Sequence, residues 1–258
     1  MIATITFQNR NFSVDLSKPL DISVAMGNGT GPRAWYLEGA NISPVMNEHF
    51  VGKVSLGGAV NFNNISFNPH GHITHTECVG HISKEFQSVN QLVRQFFYLS
   101  KVLTVTPEIM DDSHGRNEAG DRVITRACIE KVLASQTSPE ALVIRTHPND
   151  PWKLVREYSN TNPIYVSCDA IEWLVSMGVN HLLLDVPSVD RESDGGKLLG
   201  HHAFWEYPLN TAYHRSITEL IFVPEEIEDG EYLLDLQFAP IENDASPSRP
   251  VLYKIHEF

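Results

Sequence analysis

An α/β fold around a mixed central sheet is the architecture this sequence predicts, from three observations. Two short strand-like runs open the chain, strands and helices alternate through its middle, and strand patterning returns near its end. Residues 3–7 and 12–16, split by Gln8-Asn9-Arg10-Asn11, form a β-hairpin. Over residues 84–99, Phe86, Val89, Val93, Phe96 and Phe97 recur at near-helical spacing, which predicts a helix with that stripe in the core. A short strand at 102–105 and a helix at 126–134 follow. Residues 141–146 form a buried strand that stops at the polar loop His147-Pro148-Asn149-Asp150-Pro151. Residues 169–177 read as a helix capped by Ser167 and ended at Gly178, and 181–186 as a second buried strand. Strands at 219–223 and 232–238 complete the sheet. No repeat, low-complexity segment or linker divides the chain, so residues 1–258 are read as one domain.

Composition narrows the function classes. With 42 % apolar and 20 % charged residues in 258, the chain can bury a sizeable core and is globular in type. A net charge of −13, with no Lys/Arg-rich block to offset it, disfavours nucleic acid as a partner and leaves a small molecule as the better fit. No segment has the apolar length of a membrane span, and the first residues lack a basic region followed by a long apolar stretch, so the cytoplasm is the expected location. Cys78, Cys128 and Cys168 are odd in number, widely spaced and without a CxxC pattern, which predicts reduced thiols and no thiolate zinc knuckle.

The densest chemistry lies in Pro69-His70-Gly71-His72-Ile73-Thr74-His75-Thr76-Glu77-Cys78-Val79-Gly80-His81. Isolated histidines are mostly surface or hydrogen-bonded core residues. Four in one window beside a glutamate, with little Lys or Arg nearby, read instead as a metal site. Alternate residues of an extended segment share a face, so His75 and Glu77 reach one ion together and His81 arrives a turn later. Gly71 and Gly80 are expected to permit the sharp backbone changes that converging ligands need. Cys78 reads as a small apolar filler on the reverse face, so the donors are nitrogen and oxygen. Mixed imidazole and carboxylate sites suit zinc or manganese.

A second supplier of ligands is Gly200-His201-His202-Ala203-Phe204-Trp205. Glu219 then sits inside the apolar run 217–222, where its charge is either paired or cation-bound if it faces inward, or points to water from an edge strand. Both readings stand at this point. Ser188 and Asp190 lack an elbow motif, and Asp190 reads as an outer partner or a loop cap. His147 and Asp150 read as an ordinary loop. Trp35, Tyr36, Phe204 and Trp205 are candidates for lining a pocket for a planar substrate or for the core.

The chain resembles the cyclase family of metal-dependent hydrolases, which includes bacterial kynurenine formamidases and isatin hydrolase. Their hallmark is His, three residues, His, one residue, Asp, three residues, His; His75-Thr76-Glu77-Cys78-Val79-Gly80-His81 fills its second half. The likeness continues through residues 15–20, 142–146, 185–190, the His201 segment and residues 242–249, in family order. There are two departures. Glu77 stands where the family has Asp, and family spacing puts the first histidine at position 71, a glycine, so His70 is favoured over His72 through a loop one residue longer. The resemblance implies a single cyclase-type domain of swivelling β/β/α character holding one or two divalent ions, zinc or manganese. It implies the ligands His70, His75, Glu77, His81, His201 and Glu219, with His201, if it does not ligate, moving a proton to the leaving group, or Glu219 in its place. It further implies hydrolysis of an aryl formamide such as N-formylkynurenine, with opening of a cyclic amide or lactone as the rival, and a homo-oligomer, dimer or tetramer. A non-catalytic binding protein on the same fold is the third reading. The longer spacing between His201 and Glu219, through residues 206–214, is expected to shape a distinct pocket.

Overall fold

Residues 141–146 place Leu142 and Ile144 on one side of a strand and Ala141 and Val143 on the other, and all four are buried. Such a strand must be covered on both faces, which is why it reads as a continuous apolar run. In the computed structural model of the protein, which describes residues 1–7, 9–111, 117–133 and 139–258, it lies within a sheet that closes on itself. The strands of that sheet are β1 (Ile2–Phe7), β2 (Arg10–Asp15), β3 (Leu20–Asp21), β4 (His75–Glu77), β5 (Phe97–Val105), β6 (Ala141–Thr146), β7 (His181–Leu184), β8 (Ser216–Glu219), β9 (Gly230–Phe238) and β10 (Ala245–Glu257). Their order β10, β9, β5, β6, β7, β8, β4 returns to β10 through pairing of β4 with the start of β10, giving a barrel-like ring. Strands β5 to β8 run parallel and the other junctions are antiparallel, so the sheet is mixed as expected.

Outside the ring, Leu142, Ile144, Leu182 and Leu184 pack under Ala170, Ile171 and Leu174 of one helix and Phe204 and Trp205 of another. The other face carries Val102, Ala141, Val143, Leu183, Leu234 and Leu252, a core built largely from strands. The helices are α1 (Pro69–His72), α2 (Val89–Leu92), α3 (Arg126–Val132), α4 (Cys168–Ser176) and α5 (Leu199–Trp205). The opening hairpin, α3, α4 and the two buried strands stand where the sequence places them, although Gln8 and Ala134 lie outside the described residues. Gly178 ends α4 in the left-handed region at φ 91°, whereas the Ser167 side chain makes no capping bond.

Two expectations are corrected. The helix over 84–99 is a single turn, α2, followed by strand from Phe97; Val89 and Val93 are buried, but Phe86 and Phe97 are 69 % and 51 % exposed. Long-range bonds override the local period, since Val89 N donates to Asn243 O across the chain. The strand at 219–223 instead occupies 216–219, because Leu220 turns to φ 55° and leaves the ladder. Residues 242–249, known only as a family-like block, lead into the longest strand, β10. Outside the ring, Asn41–Pro44 pairs with Asn63–Ser66 in an arm that leaves Met46, Phe50, Leu56, Phe62 and Ile65 exposed.

Candidate metal centre

Strand β4 is three residues long and fully buried, held between β8 and β10. The pleat turns His75 and Glu77 to one face, while Thr76 meets the hydroxyl of Thr218 at 2.8 Å on the other. The register sets His75 opposite Glu219, so these two side chains meet as a cross-strand pair. The environment decides the open question at Glu219: it is 3 % exposed and faces inward. Its Oε1 accepts from Val189 N at 2.9 Å, and Oε2 lies 3.6 Å from His75 Nε2.

The turn before β4 separates the two candidate first histidines. Asn68 caps α1 by accepting from His70 N, and Pro69 at the first helical position makes the turn compact. His70 then projects toward Glu77, with Nδ1 3.2 Å from Oε2. His72 points elsewhere: its Nδ1 accepts from Asn68 N and its Nε2 meets Glu38 O. His81, in the tight turn after β4, brings Nδ1 to 3.8 Å from Glu77 Oε2. His201, from α5, sets Nε2 3.2 Å from Glu77 Oε1. The six residues singled out from the sequence therefore converge around one carboxylate. Within this cluster, His70, Glu77 and His81 form one group, and His75, Glu77 and Glu219 another, with the donor atoms of each within 4.8 Å of one another.

The polar atoms at the centre lack the hydrogen bonds that burial demands. His75 Nε2, both oxygens of Glu77 and His201 Nε2 are inaccessible and have no hydrogen-bond partner, and Glu77 is 0 % exposed. Burying a carboxylate this way costs several kcal/mol unless a cation offsets it, on the order of the penalty for any desolvated ion. Burial acts to raise Glu77, but His81, His201 and His70 overcome it and hold the carboxyl well below its usual range. Burial likewise acts to lower His70, and the carboxylates of Asp244 and Glu77 instead lift it to about 10. Against the same penalty, Asp190 and Glu77 hold His201 well above its ordinary value. Protons on imidazoles thus balance the cluster, and a divalent cation fits as their replacement. The donors are nitrogen and oxygen: Cys78 Sγ faces Gly80 N and Gln87 O, with burial pushing its thiol up to about 12.

Two carboxylates complete the surroundings. Asp190 accepts from His201 Nδ1 at 2.6 Å and from the backbone N–H of Gly200 and His201, serving both as a partner and as a loop cap. Asp244 accepts from His70 Nε2 at 2.9 Å and His81 Nδ1 at 3.2 Å. Sequence reasoning placed Asp244 only inside a family-like block. Nothing local marks it, because it comes to the site through β10. The glycines are corrected too, as neither Gly71 nor Gly80 has positive φ. They supply space: a Cβ on Gly71 would come 2.6 Å from Leu37 Cδ1, and one on Gly80 2.3 Å from Gln87 O and 3.2 Å from Asp244 Cβ.

Beside the cluster lies a cavity of about 270 Å³ lined by Trp35, Leu37, Asn68, His70, His81, Ser188, Leu198, His201 and Glu219. Trp35 is therefore a pocket residue, whereas Phe204 and Trp205 are core and Tyr36 is exposed. Residues 206–214 contribute nothing to this lining, contrary to expectation; Ala212 N bonds back to Trp205 O. A larger cavity of about 550 Å³, between Asp21, Ile73, Phe238 and Arg249, contains none of the clustered groups. Asp150 caps the turn after its loop, accepting from Trp152 N.

Comparison with known proteins supplies the family. A kynurenine formamidase from Bordetella avium is 30 % identical over 125 residues, 47 % of this chain, and the chain spans about half of that relative, 53 % of its length. Isatin hydrolase A from Labrenzia aggregata shares the fold at a TM-score of 0.63 and 15 % identity, over 92 % of this chain and 93 % of that one. A protein from Bacillus stearothermophilus described as a metal-dependent hydrolase does so at 0.61 and 16 %, over 92 % and 98 %. The family model described as "Putative cyclase" matches residues 14–191, well over half the chain, and the protein belongs to the cyclase family.

Proposed function

We propose that the protein is a metal-dependent hydrolase that cleaves the C–N bond of a small aryl formamide, with N-formylkynurenine as the leading example. The observation that carries this reading is Glu77, fully buried and without hydrogen bonds, ringed by imidazoles of which His70, His81 and His201 line a cavity. The formamidase relative supports the substrate class. His70, His75, Glu77, His81, His201 and Glu219 are the residues that would hold zinc or manganese. Such an ion supplies Lewis-acid chemistry, polarising a carbonyl and lowering the pKa of water.

The chain's own groups do the rest. Trp35, Leu37 and Leu198 offer apolar walls to an aryl ring, and Asn68 and Ser188 offer polar atoms to orient the amide. Asp190 fixes the His201 ring through Nδ1, so Nε2 either ligates the ion or, where His201 does not ligate, holds and passes a proton. Val189 N fixes one oxygen of Glu219 and leaves the other for the same task.

The test is metal content of the purified protein, followed by hydrolysis of aryl formamides and cyclic amides with and without chelator. Bound metal with chelator-sensitive turnover of the formamides is the expected result. Preference for a cyclic amide would move the substrate to the ring-opening reading, and absence of metal after incubation with zinc or manganese would overturn the hydrolase reading. Assembly into a homo-oligomer belongs to the same proposal, supported by the exposed apolar side chains of the 41–66 arm. A monomer at all concentrations in analytical ultracentrifugation would refute it.

A further inference from the structure

Three histidines of the cluster share one arrangement. In each, one ring nitrogen faces the central carboxylates and the other is held by an oxygen on the outside. His201 turns Nε2 to Glu77 while Nδ1 meets Asp190 at 2.6 Å. His75 turns Nε2 to Glu219 while Nδ1 meets the carbonyl of Ile73 at 3.0 Å. His70 turns Nδ1 to Glu77 while Nε2 meets Asp244 at 2.9 Å. Its ring is thus used in the opposite sense from the other two. Only an acceptor at Nε2 holds the tautomer that leaves the Nδ1 lone pair pointing inward.

We infer that Asp244 is the positioning residue of this centre, fixing His70 with Nδ1 toward the ion, while the same Oδ2 meets the neighbouring ring of His81. The oxygen that accepts from His70 also lies 3.2 Å from His81 Nδ1, and the two rings lie 4.4 Å apart between centroids at an interplanar angle of 33°. Backbone bonds hold the carboxylate in place on both sides. Cys78 N donates to Asp244 O, Val89 N donates to Asn243 O, and the next residue, Ala245, pairs with Glu77. Gly80 is required at this junction, because a side chain there would press on Asp244 Cβ and on Gln87 O. The end of the chain thereby positions ligands contributed by residues 70–81. This inference rests on the metal-dependent reading above.

The test measures zinc affinity directly, by competition with a chromogenic chelator, in the wild type and in Asp244→Asn. Asparagine keeps the shape of the side chain but loses the charge and one acceptor oxygen. Zinc affinity is expected to fall about 10- to 100-fold, the usual cost of losing an outer partner of a ligating histidine, while the metal-free variant keeps the wild-type circular dichroism and melting temperature. Unchanged affinity in a folded variant overturns the role of Asp244 and leaves the hydrolase reading standing. A wild type that binds no zinc overturns both. Should Asp244→Asn not fold, ¹⁵N spectra of histidine-labelled, zinc-loaded wild type decide the matter. His70 protonated at Nε2 with zinc on Nδ1 is the expected result, and the reverse assignment refutes the inference.

Discussion

Glu77 concentrates the chemistry of this site in one side chain. Its two oxygens serve both groups of donors, and no peptide N–H or hydroxyl satisfies them. A charge so placed is tolerable only because cationic groups surround it, either imidazolium rings or a metal ion. Glu77→Gln keeps the volume and removes the charge. It is expected to weaken metal binding by more than about 100-fold, beyond the cost of losing an outer partner, and to abolish chelator-sensitive turnover while the protein stays folded. Metal titration and circular dichroism on the same sample check this; wild-type stoichiometry and turnover would remove Glu77 from the centre. Lys153 and Asp185 form a contrasting buried pair, bonded at 2.7 Å, with the lysine also donating to Thr146 and Asn149. That pair is matched in charge through Asp185 Oδ2, although Asp185 Oδ1 has no hydrogen-bond partner.

Among the elements, the close packing of the 78–89 segment on the start of β10 brings His81 to Asp244. Adding a methyl at Gly80 forces backbone apart, since the nearest atom is a carbonyl oxygen at 2.3 Å, whereas at Gly71 the nearest is the end of the Leu37 side chain. Overpacking of this kind costs about 1–3 kcal/mol. Gly80→Ala should therefore lower the denaturant midpoint more than Gly71→Ala and should also weaken metal binding; the opposite order would contradict the packing. A second junction is made by Asp121, 1 % exposed, which accepts from Tyr165, Asn162, Arg191 and the N–H of Glu118. Burial opposes these bonds, yet they hold its carboxyl down at about 2. A folded-state pKa below the unfolded value gives stability that is complete above about pH 4 and lost as pH falls through about 2. The penalty of Asp121→Asn, roughly 2 kcal/mol at neutral pH by this linkage, should shrink over that window. A penalty independent of pH in denaturant titrations would show that charge is not what Asp121 contributes.

At the scale of the whole molecule, ring closure lets residues 70–81, 201, 219 and 244 share one centre. An ion bound there joins α1, β4, α5, β8 and the lead into β10, so it should stabilise the entire fold. At a hundredfold excess over its dissociation constant a ligand adds about 2.7 kcal/mol, which for a chain of this size raises the melting temperature by roughly 5–10 °C. Zinc or manganese should produce that rise and a chelator should reverse it. A melting temperature indifferent to both would mean that the cluster holds no ion. The same closure explains what was legible beforehand. Period-two alternation is local, so the hairpin, the strands at 141–146 and 181–186 and the shared face of His75 and Glu77 could be read from neighbouring residues. Asp190 could be read as an outer partner or a loop cap, while its pairing with His201 came from the tertiary structure. The stripe at 84–99 misled because a helical period without tertiary support competes poorly with backbone bonds to a distant strand. The choice of His70 over His72, the inward turn of Glu219, the space-filling reason for Gly71 and Gly80 and the arrival of Asp244 were decided only by the tertiary structure. Each depends on register between segments far apart in the chain, and register is set by the closure of the sheet, a property that no local window of sequence contains.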